Sequence, residues 1–132
     1  VTPLHSAEQL YATCDVISLH IPATAETKGS INYELLSKMP KGSLLVNTAR
    51  KEVINEDELI QFMQEHADFR YVTDVMPAAD QKMHELFEGR YFSTPKKMGA
   101  QTAEANINAG IAAAKQIVDF LENGNTRFQV NK

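Results

Sequence analysis

The chain has a single cysteine and no long apolar run, which argues against a disulfide-stabilised protein and against a membrane-spanning one. Cys14 has no second cysteine to pair with, so no internal disulfide can form and a reducing, cytoplasmic setting is expected. No apolar run approaches the ~20 residues that a membrane-spanning helix requires. The N-terminus also lacks the basic-then-apolar pattern of a secretory signal.

An excess of positive charge is absent as well. The formal net charge is −4 and the isoelectric point is about 5.5, which argues against nucleic acid or an anionic membrane as the main partner. The 132 residues, of which 43% are hydrophobic, are enough to bury the core of one domain.

Four short apolar runs, rich in β-branched and aliphatic residues, predict β-strands. They cover residues 15–20, 43–48, 71–74 and 91–94. Because helical patterns separate them, the runs are typical of buried parallel strands in an α/β protein.

Polar residues at helix starts predict the helices between these strands. Ser6, Asn32 and Asn55 each stand where an N-cap would begin a helix, and Ser6 with Gln9 has the Ser-x-x-Gln form of a capping box. The helix after Asn32 is expected to cover residues 33–39, and another short helix residues 80–88. The helix after Asn55 should bury a stripe of Leu59, Ile60 and Met63.

The longest helix is predicted over residues 102–122, ending at Asn123-Gly124. At ~1.5 Å per residue it would be roughly 30 Å long. Apolar residues recur along it at helical spacing, and its many small residues favour close packing. The apolar row consists of Ile107, Ile111, Ala114, Val118 and Leu121.

Chemically active residues follow the first three predicted strands. His20 follows the first, Asn47-Thr48-Ala49-Arg50 ends the second, and Asp74 ends the third. In open α/β sheets, ligands bind in the crevice at the carboxyl ends of the strands. The sequence therefore predicts a ligand site that contains a histidine, an arginine and an aspartate.

Five ordered blocks of the chain resemble the D-2-hydroxyacid dehydrogenases. The similarity extends from Ser6 almost to the end of the chain. The blocks are Ser18-Leu19-His20-Ile21-Pro22, Asn47-Thr48-Ala49-Arg50, Val72-Thr73-Asp74-Val75, Ser93-Thr94-Pro95 and the segment from Met98 to Ala105. The resemblance implies an α/β fold, namely the later half of a Rossmann-type, doubly wound parallel sheet followed by a long C-terminal helix.

The resemblance also implies NAD as the cofactor, a small 2-hydroxy acid as the substrate and a homodimer as the full-length enzyme. The segment is most similar to the branch of the family that oxidises 3-phosphoglycerate to 3-phosphohydroxypyruvate in serine biosynthesis. Members acting on glycerate, lactate or glyoxylate are an alternative within the family. A relative that senses NAD without turnover is an alternative from a different functional class.

A complete dinucleotide-binding fold opens with a strand, a G-x-G-x-x-G turn and a helix. The six glycines of this chain are scattered and do not form that pattern. We therefore expect the chain to be the C-terminal part of a longer enzyme, and to lack dehydrogenase activity alone. Residues 1–100 would be the second half of the NAD-binding domain. Residues 101–132 would be an interdomain helix and a tail that returns to a substrate domain.

Arg50 is the predicted clamp for the substrate carboxylate. A guanidinium group matches a carboxylate with two parallel hydrogen bonds, and the resemblance gives Arg50 this catalytic role. The alternative is a surface arginine without a special task.

Lys96 is the predicted acid–base catalyst. Members of the family use a histidine after Thr-Pro and a glutamate that orients it, whereas here Lys96 follows Thr94-Pro95 and Ala79 falls where the glutamate belongs. Lys96 could accept the hydroxyl proton as a neutral amine, a form that burial against the nicotinamide and nearby positive charges would favour. Asp80 is the candidate to orient Lys96. The alternative is an exposed lysine in a non-catalytic relative.

The resemblance also assigns residues to the cofactor, with Asp74 bonding the nicotinamide carboxamide. By their positions alone, His20 could be an ordinary strand-end histidine and Asp74 a turn former. The four histidines have no metal-ligand spacing, so no metal site is predicted. The predicted cofactor-binding set is His20, Thr48, Ala49, Arg50, Asp74, Lys96 and Gly99.

Overall fold

The computed structural model of the chain describes residues 2–97 and 102–131. The chain divides into two compact units, Val1–Lys97 and Met98–Lys132. The first unit contains a sheet with several helices, and the second contains one long helix with a short tail.

A four-stranded parallel sheet forms the centre of the first unit, with its strands in chain order. Helical segments precede or connect these strands, because parallel neighbours cannot be joined by a tight turn. The predicted α/β class is thereby confirmed. The elements are α1 (Ala7–Thr13), β1 (Val16–Leu19), α2 (Tyr33–Leu36), β2 (Leu44–Asn47), a 3₁₀ turn (Lys51–Val53), α3 (Glu56–Glu65), β3 (Arg70–Thr73), α4 (Asp80–Leu86) and β4 (Tyr91–Ser93).

The strand register brings the carboxyl ends of all four strands to one level. Leu19 pairs with Asn47, Asn47 with Thr73, and Thr73 with Ser93. Because each of these residues is the last of its strand, the four following loops leave the sheet along the same edge.

One face of the sheet carries the hydrophobic core of the unit. Ile17, Leu45, Tyr71 and Tyr91 lie in one row across the strands and belong to a single buried cluster that includes residues from α1 to α4. Residues of the opposite face are less covered: Val16 is 61% exposed and Phe92 57% exposed. Within this unit the strands are therefore buried mainly on the face that carries the row from Ile17 to Tyr91.

Side-chain caps begin the helices as predicted. Ser6, Asn32 and Asn55 accept hydrogen bonds from the backbone N–H groups of Gln9, Leu35 and Glu58. Two details differ from the prediction. In a capping box the Gln9 side chain would accept from the N–H of Ser6, but here Gln9 Oε1 accepts from the His5 N–H, one residue earlier, at 3.2 Å. Helix α2 ends at Leu36 rather than at residue 39, because the chain turns at Ser37. The predicted stripe of Leu59, Ile60 and Met63 on α3 is buried.

The second unit contains α5 (Ala103–Asn123), close to the predicted bounds. Gly124 ends it in the left-handed conformation, at φ 65°, which glycine adopts without a Cβ penalty. Its apolar row is exposed within this unit, where Ile107 is 61% exposed and Leu121 74% exposed. A helix with a short tail has no second layer against which to bury an apolar face.

Arg90 stabilises the end of α3 from a distant part of the chain. Its Nη1 atom donates to the carbonyl oxygens of Met63 and His66, both at 3.1 Å, and to that of Phe69 at 3.4 Å. The guanidinium carbon also lies 5.2 Å from the centre of the Phe87 ring. A cation at this position opposes the partial negative charge of the helix C-terminus.

We expect Arg90→Ala to lower the free energy of unfolding by about 2–3 kcal/mol, because three carbonyl oxygens lose a charged donor. Urea unfolding followed by circular dichroism measures the change. Arg70→Ala is the matched control, since Arg70 makes one exposed bond, from Nη2 to the Gly42 carbonyl at 3.1 Å. Equal losses for the two variants would contradict the assignment.

Candidate functional site

Asn47, at the end of β2, shapes the loop that carries Arg50. Its side chain is completely buried, with Oδ1 accepting from the Ala49 N–H at 3.0 Å and Nδ2 donating to the Arg50 carbonyl at 2.9 Å. The amide therefore satisfies one donor and one acceptor of a tight turn, as asparagine does in Asx-turns. This positioning role was not predicted, although an asparagine at a strand end is a recognisable signal for it.

The loop after β3 is tied to the same residue. Thr73 Oγ1 donates to the Asn47 carbonyl at 2.8 Å and accepts from the Val75 N–H at 3.0 Å. The backbone N–H of Asp74 also points to the Asn47 carbonyl, at 3.3 Å. These bonds hold Asp74, which is 7% exposed, beside the loop that carries Arg50.

Two shallow clefts meet at Arg50 on this edge of the sheet. The first, of about 280 Å³, is lined by His20, Ile21, Pro22, Ala49 and Arg50. The second, of about 290 Å³, is lined by Arg50, Lys51, Glu52, Asp74, Val75, Met76, Lys96 and Lys97. The structure thus brings together five residues of the predicted site: His20, Ala49, Arg50, Asp74 and Lys96.

Two cationic side chains converge on the carbonyl oxygen of Ala49. Arg50 Nη1 donates to it at 2.8 Å, and Lys97 Nζ donates to it at 3.2 Å. The loops after β2 and β4 are therefore joined by Lys97, which sequence reasoning treated only as a nearby charge. The arrangement presents positive charge to any ligand in the second cleft.

Lys96 lies at the rim of the second cleft, and the residues that the structure describes leave its side chain exposed. Its carbonyl oxygen accepts a hydrogen bond from Thr94 Oγ1 at 2.8 Å, which restrains the turn after β4.

Asp80 lies at the start of α4 and lines neither cleft. Its Oδ1 atom accepts from Tyr91 Oη and from Ser93 Oγ, each at 2.6 Å. Burial raises the pKa of this carboxyl group, but the hydrogen bonds from Ser93 and Tyr91 and the charge of His84 outweigh it, and the net direction is downward. Among the described residues no hydrogen bond or ion pair joins Asp80 to Lys96. Asp80 therefore does not touch Lys96 directly, and its role in orienting Lys96 stays a prediction.

The remaining predicted site residues are less constrained. His20 is exposed, and its Nε2 lies 2.9 Å from Ser18 Oγ, whereas Thr48 is half-buried. Gly99 lies outside the described residues. Within residues 2–97 and 102–131, no three histidine, cysteine, aspartate or glutamate side chains converge as metal ligands. In the same part of the chain, no helix has the length and apolar character needed to cross a membrane.

Glu56 holds the segment in which the family's glutamate would fall. Its Oε1 accepts from the Ala78 N–H at 3.0 Å and its Oε2 from the Ala79 N–H at 3.2 Å. Glu56 also lies in the first turn of α3, where an acidic residue is favoured by the helix dipole. The long-range bond has no local sequence signal.

A family model described as D-isomer specific 2-hydroxyacid dehydrogenase, NAD binding domain, matches residues 1–95. The chain is 34% identical to D-3-phosphoglycerate dehydrogenase of Haemophilus influenzae over 134 residues, which cover 97% of this chain and 32% of that protein. It is also 34% identical to hydroxypyruvate reductase of Thermotoga maritima, covering 83% of this chain and 37% of that protein. The chain spans about a third or less of the length of the curated D-3-phosphoglycerate dehydrogenases that it matches.

The chain is also similar to a solved dehydrogenase structure. The NAD⁺-bound 3-phosphoglycerate dehydrogenase of Entamoeba histolytica is 52% identical, with a TM-score of 0.85 over all of this chain and 44% of that one. The predicted fold class, part of a Rossmann-type parallel sheet with a long C-terminal helix, is confirmed.

We expect Asn47→Asp to lower the free energy of unfolding by about 2–3 kcal/mol, because a buried carboxylate cannot donate to the Arg50 carbonyl. Asn32→Asp is the matched control: Asn32 only accepts a bond, from the Leu35 N–H at 2.9 Å. Aspartate and asparagine are equivalent N-caps, so this change should cost no more than about 0.5 kcal/mol. Denaturant unfolding measures the free energy of unfolding of both variants. Equal losses for the two variants would exclude the proposed role of Asn47.

Proposed function

Because this chain belongs to the D-isomer specific 2-hydroxyacid dehydrogenase family, we propose that the full-length protein is an NAD-dependent D-3-phosphoglycerate dehydrogenase. It would oxidise 3-phosphoglycerate to 3-phosphohydroxypyruvate, a reaction of serine biosynthesis. The observation that carries the proposal is the cationic cleft at the carboxyl edge of the sheet, in which Arg50 and Asp74 are lining residues.

The charge of this cleft supports a phosphorylated substrate. Apart from Lys96, which this proposal requires as a neutral amine, three cationic side chains line it, Arg50, Lys51 and Lys97, against the two acidic residues Glu52 and Asp74. A substrate with both a carboxylate and a phosphate gains more from this excess than a singly charged acid does. We therefore favour 3-phosphoglycerate over glycerate, lactate or glyoxylate.

Each residue of the cleft has a separate task in this proposal. The Arg50 guanidinium would hold the substrate carboxylate through two parallel hydrogen bonds. Lys96, as a neutral amine, would take the proton from the 2-hydroxyl group. Asp74 is nearly buried at the strand end, a suitable acceptor for the carboxamide N–H of the cofactor. NAD, when bound, would supply the hydride acceptor.

The other predicted cofactor contacts, His20, Thr48 and Ala49, lie along the same edge of the sheet and would approach the nicotinamide ribose and ring mainly with backbone atoms. Assembly of the full-length enzyme as a homodimer is proposed on the family resemblance alone, and its location in the cytoplasm on the single cysteine. Light scattering of the purified full-length enzyme tests the first.

Arg50→Lys in the full-length enzyme should lower kcat/KM for 3-phosphoglycerate by roughly 10²-fold, or about 2–3 kcal/mol of transition-state stabilisation. Lysine keeps the charge but cannot form the two parallel bonds. Steady-state kinetics measure the loss. The control Arg70→Lys changes an arginine at the opposite end of the sheet and should leave the kinetics unchanged. Near-normal kinetics for Arg50→Lys would show that another group holds the carboxylate.

Lys96→Ala should cut the oxidation rate by about 10²–10⁴-fold while leaving NAD binding largely intact.

Steady-state rates and NAD titrations test the assignment of Lys96. Lys41→Ala, which changes an exposed lysine at the turn before β2, is the control and should retain the rate. An unchanged rate for Lys96→Ala would direct attention to Lys97, the next cation in the cleft.

A further inference from the structure

A polar cluster behind the cleft joins α4 to the end of β4. It consists of Asp80 and His84 on the helix and Tyr91 and Ser93 on the strand. None of these residues lines the clefts at Arg50, so the proposed binding roles do not account for the cluster.

The carboxylate of Asp80 is the centre of this cluster. One oxygen, Oδ1, accepts two hydroxyl groups at 2.6 Å, from Tyr91 and from Ser93. Hydrogen bonds of this length to an ionised acceptor are stronger than neutral ones. His84 Nε2 approaches from the same helix, 3.1 Å from Ser93 Oγ and 3.7 Å from Asp80 Oδ1. The Ser93 hydroxyl is thus held by an acid and an imidazole together.

Ser93 is the residue from which the loop with Lys96 departs. The next backbone N–H, of Thr94, donates to the Thr73 carbonyl at 3.1 Å, continuing the sheet ladder by one residue. Thr94 Oγ1 then donates to the carbonyl oxygen of Lys96 at 2.8 Å. A continuous series of contacts therefore connects the Asp80 carboxylate to the backbone of Lys96 within four residues of chain.

We propose that Ser93 and Asp80 act as positioning residues for Lys96, fixing the start of the loop that presents its amine to the substrate. This inference rests on the proposed role of Lys96 as the acid–base catalyst. It also explains how Asp80 could orient Lys96 without touching the amine, because Asp80 bonds Ser93, and Thr94 next to it bonds the Lys96 backbone.

Tyr91 provides an internal comparison within the same cluster. Its hydroxyl donates to the same oxygen as Ser93, at the same distance, but its ring is buried and stacks on Tyr71 with centroids 5.8 Å apart. Tyr91 lies at the beginning of β4, whereas Ser93 lies at its end. Loss of the Tyr91 hydroxyl should therefore affect stability, and loss of the Ser93 hydroxyl should affect catalysis as well.

The test compares Ser93→Ala with Tyr91→Phe in the full-length enzyme, each of which removes one hydroxyl from Asp80. Ser93→Ala should lower kcat about tenfold without changing KM for NAD, because misplacement of a catalytic group mainly affects the chemical step. Tyr91→Phe should leave kcat unchanged. Ser93→Thr, which restores the hydroxyl, should recover most of the rate. Equal values of kcat for Ser93→Ala and Tyr91→Phe would overturn the inference.

Lys96→Ala separates failure of this inference from failure of the proposed function. A Ser93→Ala/Lys96→Ala double variant should be no slower than Lys96→Ala alone, since a positioning residue has nothing left to position. Additive losses would overturn the inference while leaving the role of Lys96 intact. Normal turnover by Lys96→Ala would overturn both.

Asp80→Ala is the second variant if Ser93→Ala does not fold. It removes the shared acceptor and should reproduce the loss of kcat. A folded Asp80→Ala enzyme with normal kcat would overturn the inference.

Discussion

Main-chain hydrogen bonds hold the last residues of the four strands at one level. These residues are neighbours across the sheet, in the order Leu19, Asn47, Thr73 and Ser93. Every loop of the candidate site begins at that level. A change of register by one residue would turn each strand over and move its buried side chains to the other face. The hydrophobic row across the strands therefore fixes the position of the site as well as the core.

Buried polar groups stabilise the loops at this edge, while the groups proposed to meet the substrate are exposed. Asn47 and Thr73 are almost inaccessible, and their side chains are occupied by the backbones of two loops. Arg50 extends from the first of these loops into the shallow clefts, and Lys96 reaches the second cleft from the loop after β4. Exposed, charged side chains are thus carried on a backbone whose course is set by the interior.

Sequence patterns predicted the features that depend on neighbouring residues. The strands and the caps at Ser6, Asn32 and Asn55 have local signals, since each cap bonds a group three residues away. Apart from the local turn at Asn47, the features that were missed join distant residues. Glu56 bonds the segment at Ala78 and Ala79, Arg90 the end of α3, and Lys97 the loop after β2. These pairings are decided by the packed fold, which single-sequence patterns do not specify.

Asn47 belongs to two loops at once, because its amide restrains the turn to Arg50 and its carbonyl accepts from Thr73 and Asp74. Neither loop can detach from the sheet without disturbing the same buried residue. The two loops therefore form one cooperative opening unit, of the kind that native-state hydrogen exchange detects. The amide protons of Ala49 and Asp74, which lie in the loops after β2 and β3, should accordingly share a common opening free energy.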